Sequence, residues 1–218
     1  MMKLLLEELN SIPLEVHNQI SNRISSFRNI KDEGPERLFL ELSFCMLTAN
    51  YDAQKAIRIQ EAIWNGFIDM DENILSHNLR MLGYRFPNMR ASYIVGARKH
   101  KDILYSIVYP EGHDWNTDYE NQNIARLWLA DNVRGLGMKE SSHFLRNVGY
   151  NKLGIIDFHI LDILVRHNLI EPYKSRSLTR NKYVEIERIL HDIGDYIGMD
   201  MAVLDYCLWY IETGKVLK

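Results

Sequence analysis

Cysteine is nearly absent: Cys45 and Cys207 are the only two in 218 residues. Two thiols cannot build a disulfide framework, a four-cysteine zinc site or an iron–sulfur cluster, and both lie inside apolar helical patterns, where buried thiols belong. Proline and glycine are scarce, at five and twelve, which leaves little room for linkers or low-complexity tracts. No apolar run approaches the length of a membrane span. The N-terminal run Leu4-Leu5-Leu6 is too short for a signal-peptide core. A cytoplasmic protein without membrane contact is expected. A strong net charge is also missing. The balance of −3 argues against a general polyanion binder.

That balance hides a segregation. Arg80, Arg85, Arg90, Arg98, Lys99 and Lys101 form a block without an acid, and positions 174–182 carry four more Lys/Arg, again without one. Between them, Asp102 to Asp131 holds six acids against one arginine. Such blocks are often solvated faces, and they do not by themselves define a nucleic-acid surface.

What is present is helical periodicity, with no alternating strand pattern of useful length and no internal repeat, so the fold is expected to be all-α. Met2 to Asn10 and Leu14 to Phe27 read as amphipathic helices, and Gly34-Pro35 breaks the pattern before a third, Glu36 to Thr48. The apolar positions of that third helix are almost continuous, which predicts burial on most sides. A helix from Asp52 to Trp64, stopped by Asn65-Gly66, and one from Asp71 to Leu82 come next. One long helix is expected from Asn88 to Val108 after the loop at Pro87, followed by a loop from Tyr109 to Asp114. Asn121–Asn132, Met138–Val148, Phe158–His167, Thr179–Ile197 and Asp200–Glu212 complete the pattern.

The stretch from Val133 to Asp157 carries the chemistry. Gly135-Leu136-Gly137 joins two helices. Glycine there permits backbone conformations closed to other residues and lets the main chain approach a phosphate without a Cβ clash. The second helix starts at once, so its unpaired N–H groups form an anion site, while Leu136 would plug the turn into the core. Lys139 falls in the first turn of that helix, where a cation opposes the macrodipole at a cost of roughly 0.3–1 kcal/mol. A field that disfavours the ammonium favours the neutral amine a Schiff-base nucleophile needs. A lysine that merely pairs with a phosphate would occupy the same position. Asp157 lies eighteen residues further on. It has the look of an N-cap, and a capping aspartate can still turn its other oxygen toward a cleft and a lysine.

Val133-Arg-Gly-Leu-Gly-Met-Lys139, with an aspartate in Ile-Ile-Asp157-Phe-His-Ile, resembles the helix-hairpin-helix DNA glycosylases. Within that superfamily, Phe44-Cys-Met-Leu-Thr-Ala-Asn50, Leu82-Gly-Tyr-Arg-Phe86, Lys139 to Gly149 and Trp209 to Lys218 resemble the archaeal-type 8-oxoguanine DNA glycosylase/AP lyases. The likeness spans almost the whole chain. It implies two helical subdomains, 1–35 with 151–218 and 36–150, the latter ending in the helix-hairpin-helix 121–149, with a cleft between them. It implies excision of 8-oxoguanine from double-stranded DNA, with Lys139 as nucleophile and Asp157 as catalytic carboxylate. Phe86 and Trp209 would sandwich the flipped base, and Lys218 would join that pocket through its carboxylate or its ammonium. Gly135 and Gly137 would hold phosphate. Asn50 and Arg85 would fill the vacated stack or contact the orphaned cytosine. No cofactor is implied, although the hairpin type suits a monovalent cation bridging its carbonyls to a phosphate. The resemblance further implies a monomer held at the nucleoid by its DNA. Family members often carry arginine after the catalytic aspartate, and here the residue is Phe158. The residues alone leave other readings open: a glycosylase for oxidised pyrimidines, a non-catalytic hairpin module, or a helical interaction domain.

Overall fold

A computed structural model describes residues 2–112, 118–173 and 177–218. The described residues form helices and connections, with no strand among them. None of these helices is long and apolar enough to cross a membrane. The predicted loop residues His113 and Asp114, and Lys174 and Arg176 of the second basic block, lie outside the described residues.

The organising element is α3 (Gly34–Thr48). Pro35 occupies its first turn, where no intrahelical N–H is needed. Every residue from Leu38 to Thr48 is buried, as the unbroken apolar run predicts. Around it pack α4 (Ala53–Ile63), the short α5 (Gly66–Asp69), α7 (Pro87–Ala97), α8 (Lys101–Val108) and α10 (Met138–Asn147). Helix α6 (Glu72–Met81) pairs with α7, and α9 (Tyr119–Asn132) pairs with α10. At the other end α13 (Met201–Thr213) gathers α1 (Met2–Asn10), α2 (Leu14–Arg28), α11 (Phe158–Arg166) and α12 (Arg180–Ile197). Side-chain caps fix several starts: Asp52, Asp118, Thr179 and Asp200 each accept a backbone N–H three residues on.

Two expectations change. The helix from Asn88 to Val108 is broken by a turn of 3-10 helix at Arg98–His100. There the Arg98 guanidinium turns inward and donates to the carbonyls of Phe67 (2.9 Å) and Gly66 (3.3 Å), so a long-range cap interrupts a locally uninterrupted pattern. Gly66 is likewise not the stop of α4. Its last residue is Ile63, Trp64 follows as the C-cap at φ +41°, and Gly66 opens α5.

A buried ionic cluster ties the hairpin to the rest. Arg126 on α9 and Glu187 on α12 are 0 % and 1 % exposed and meet in a two-pronged pair, Nη1–Oε1 2.5 Å and Nη2–Oε2 2.9 Å. The Tyr119 hydroxyl donates to the same carboxylate at 2.7 Å. Glu187 Oε1 also accepts the Gly154 N–H at 2.6 Å, while the Tyr183 hydroxyl donates to the Gly154 carbonyl and accepts from the Ile156 N–H. The extended segment leading to Asp157 is thereby held from α12.

Candidate active site

The hairpin between α9 and α10 turns at Gly135, whose φ is +95°. A Cβ there would also sit 2.4 Å from the ring of Tyr93, over which the Arg134 guanidinium lies at 5.1 Å. Gly137 differs from expectation. Its φ of −107° is open to any residue, and an added Cβ would meet only a Glu140 oxygen at 3.6 Å. Gly135 alone is demanded by the backbone; Gly137 leaves the first turn of α10 without a capping side chain. Leu136 is buried, as its role as a plug requires.

Directly after the turn, Lys139 points into a cavity of about 940 Å³. Asp157, Trp209, Arg85, Asn50 and Lys218 line the same cavity. Lys139 is 24 % exposed, and its Nζ lies 3.8 Å from Glu140 Oε1. Among the described residues no ion pair joins it to Asp157. Asp157 caps α11, with Oδ1 accepting the Ile160 N–H at 3.0 Å. The aspartate is therefore both the cap and a cavity residue, and the Glu140 carboxylate lies beside Lys139 on the same wall.

The base-pocket candidates divide. Trp209 stands on the wall, edge-on to His159 with centroids 4.9 Å apart, and its buried indole N–H has no hydrogen-bond partner among the described residues. Phe86 is not on the cavity wall. Its ring packs against the core at the start of α7, with the Arg85 guanidinium 4.9 Å over it. Arg85 and Asn50 sit on the cavity, Asn50 in the left-handed region at φ +55°. Lys218 is tethered rather than loose: its ammonium reaches Glu41 Oε2 at 2.6 Å and Gln60 Oε1 at 2.8 Å, so that group is already engaged inside the protein. Phe158, in the place of the family's arginine, is 41 % exposed at the cavity and stacks on His159 at 4.0 Å.

Sequence reasoning passed over three other wall residues. His143 is buried beside Thr48 and Phe44. Burial, then the charges of Arg146, Lys139 and Lys218, push it well below the usual histidine range, so it is neutral at pH 7. Asp205 and Arg146 face each other at 3.2 Å, with Arg146 stacked on Tyr206 at 4.3 Å. The pair is close but not aligned as a hydrogen bond, since Arg146 Nη1 has no such partner among the described residues. Burial raises the Asp205 carboxyl to about 6; Arg146 and Lys139 pull it down and Asp157 pushes it up. Only the i, i+4 placement of Asp205 before Trp209 on one helix could have drawn attention to it.

Asp205 carries a pH prediction. A carboxyl raised in the folded state binds its proton more tightly there than in the unfolded chain. Its contribution to stability is thus present below the ordinary carboxylate range and is lost as pH rises through about 6. His143 works in the opposite sense and favours folding as pH rises. Asp205→Asn should therefore gain on the wild type between pH 4 and 7, by on the order of 1–3 kcal/mol. Chemical denaturation at stepped pH measures this, and parallel curves for the two proteins would refute it.

An all-α chain with a glycine hairpin, and with an amine and a carboxylate on one cavity wall just behind it, belongs to the class of helix-hairpin-helix DNA glycosylases. Residues 20–199 match the family described as 8-oxoguanine DNA glycosylase. The 8-oxoguanine DNA glycosylase/AP lyase of Methanocaldococcus jannaschii is 44 % identical over 213 residues, covering 98 % of this chain and 97 % of its own. The crystal structure of the same organism's enzyme in complex with a 15-mer DNA containing 8-oxoguanine superposes with a TM-score of 0.89 at 42 % identity, covering 99 % of this chain and all of the other. The Thermotoga maritima 8-oxoguanine DNA glycosylase superposes with a TM-score of 0.90 at 37 % identity over the whole of both chains. The chain belongs to the 8-oxoguanine DNA glycosylase family.

Proposed function

We propose that this protein excises 8-oxoguanine from duplex DNA through a Schiff base on Lys139 and then cuts the strand at the abasic sugar. The observation that carries the reading is the placement of Lys139 and Asp157 on one cavity wall, immediately behind a hairpin whose helix N-terminus is uncapped by any side chain. Backbone N–H groups there suit a phosphate, which positions the duplex without reading its sequence. A monovalent cation at the hairpin carbonyls would reinforce that grip.

The lesion must leave the stack, at a cost of a few kcal/mol. Stacking on an aromatic returns roughly 1–3 kcal/mol, and Trp209 is the face on the cavity for it. Phe86 becomes the second face only if the α6–α7 turn moves when DNA binds. Arg85 and Asn50 at the rim suit the gap and the orphaned base, with the fork of Arg85 matched to a base edge. The neutral amine of Lys139 attacks C1′ as the C1′–N9 bond breaks, and the base leaves with a proton. Opening of the sugar ring gives the protonated imine. Loss of a C2′ proton then expels the 3′ phosphate, with the imine as electron sink, so no cofactor enters. Asp157, with one oxygen committed to α11, has the other for stabilising positive charge on the sugar and relaying the lysine's proton. The cleft falls between subdomains 1–35 with 151–218 and 36–150, and one chain suffices as a monomer. The setting is cytoplasmic, at the nucleoid.

The test is borohydride trapping on duplex DNA with a single 8-oxoguanine opposite cytosine. A covalent protein–DNA adduct is expected. Binding without an adduct would exclude the Schiff base.

A further inference from the structure

Glu41 lies on the central helix α3 and is completely buried. A carboxylate in such a place persists only when its charge and lone pairs are met, and here three groups meet it. Asn147 Nδ2 donates to Oε1 at 2.7 Å. Arg37 Nη1 reaches Oε2 at 3.2 Å, although Arg37 also pairs with Glu33 and stacks over Trp64. The closest partner is the ammonium of Lys218, 2.6 Å from Oε2.

Around that ammonium the protein forms a socket. Gln60 Oε1 takes a second N–H at 2.8 Å, and Gln60 is itself 3 % exposed and fixed by its own bond to the Leu40 carbonyl. The ring of Phe44 lies beneath at 4.5 Å. Beyond the end of α13 the chain from Gly214 to Lys218 is irregular. Its other ties are the Gly214 N–H to the Tyr210 carbonyl at 2.7 Å, which closes α13, the packing of Val216 against the core, and two longer bonds, the Lys215 N–H to Thr213 Oγ1 at 3.3 Å and the exposed Lys215 ammonium to Gln54 at 3.4 Å. Lys215, Leu217 and Lys218 of this stretch line the cavity, whereas Glu41 does not.

We propose that Glu41 is a positioning residue for base excision: by gripping the Lys218 ammonium from beneath, it fixes residues 214–218 as a wall of the lesion pocket. The proposal rests on reading this cavity as that pocket. It makes a distinction that general structural support would not. An abasic site has no base to be held against the wall, so strand cleavage there needs Lys139 and not the tail. Glu41 should therefore matter for removing 8-oxoguanine and hardly at all for cutting a ready-made abasic site.

Glu41→Gln keeps an oxygen for Asn147 and removes the charge facing Lys218. Two single-turnover rates are to be measured on otherwise identical duplexes, one with 8-oxoguanine opposite cytosine and one with an abasic site. In parallel, acetylation of Lys218 by an amine-reactive ester is followed by mass spectrometry, with the exposed Lys215 as internal reference. Excision should fall about tenfold or more while abasic cleavage stays within about twofold, and Lys218 acetylation should accelerate relative to Lys215. Glu41→Asp, which keeps the charge with a shorter reach, should recover part of the loss. Equal losses on both substrates, or no loss on either, would overturn the proposal. So would acetylation of Lys218 as fast as Lys215 in the wild-type protein, a measurement that needs no variant. A wild type that cuts abasic sites but leaves 8-oxoguanine in place would defeat the functional reading instead, and the acetylation ratio would still judge the grip.

Discussion

Lys139→Gln is expected to lose the borohydride adduct entirely and to slow cleavage at 8-oxoguanine by on the order of 10³-fold or more, the scale on which an enzyme loses its nucleophile. Duplex affinity should change little, because the phosphate grip assigned to the hairpin comes from backbone N–H groups. The fold should survive as well: Lys139 faces the cavity, and its ion pair with Glu140, at 3.8 Å, is too long for a hydrogen bond. The informative companion is Lys139→Arg. Arginine keeps the charge but cannot supply a neutral amine. If the lysine is only a phosphate contact, arginine rescues activity; if it forms an imine, arginine is as inert as glutamine. Retained trapping in either variant would remove Lys139 from the chemistry.

The largest stability effect is expected at Glu187. Truncation to alanine strands the guanidinium of Arg126, which has no exposure, and removes the acceptor for the Gly154 N–H. Breaking one side of a buried pair costs roughly 3–5 kcal/mol, which for a chain of this size lowers Tm by on the order of 10 °C. Removing both charges should hurt less than removing one, so Arg126→Met added to Glu187→Ala should recover part of the loss. Calorimetry on the wild type and the two variants decides the matter. A single variant melting within about 2 °C of the wild type would show that water or another group takes over the orphaned charge. Because this cluster also holds the segment before Asp157, the alanine variant should lose activity at temperatures where it is still folded.

The parts of the molecule legible in the sequence are those written by local rules. The burial of α3 follows from its unbroken apolar run, and Asp157 as a cap follows from the apolar residues that flank it. Gly135 follows from a turn whose backbone enters the left-handed region. What could not be read depends on partners far apart in the chain. Arg126 looked like a lone base in an acidic stretch, yet it is paired with a residue 61 positions away. The 3-10 break at Arg98 comes from carbonyls more than thirty residues earlier. Asp205 is ordinary by spacing and unusual only because burial and Arg146 surround it. The motif Leu82 to Phe86 points Phe86 to the pocket, and in the structure its ring rests on the core beneath Arg85. Motifs bring a residue near a site. Packing decides which way it faces.

The two cysteines have a bearing on the conditions under which such an enzyme must work. Both thiols are buried, and burial raises Cys207 to about 12 and Cys45 well above the ordinary thiol value. Oxidants attack the thiolate, and at neutral pH a thiol of that kind is ionised in only about one molecule in 10⁵. The lesion this family removes is itself a product of oxidation. The chemical stress that creates the substrate therefore finds almost no reactive sulfur in the cysteines, and the exposed thioethers of Met81 and Met89 are the softer targets.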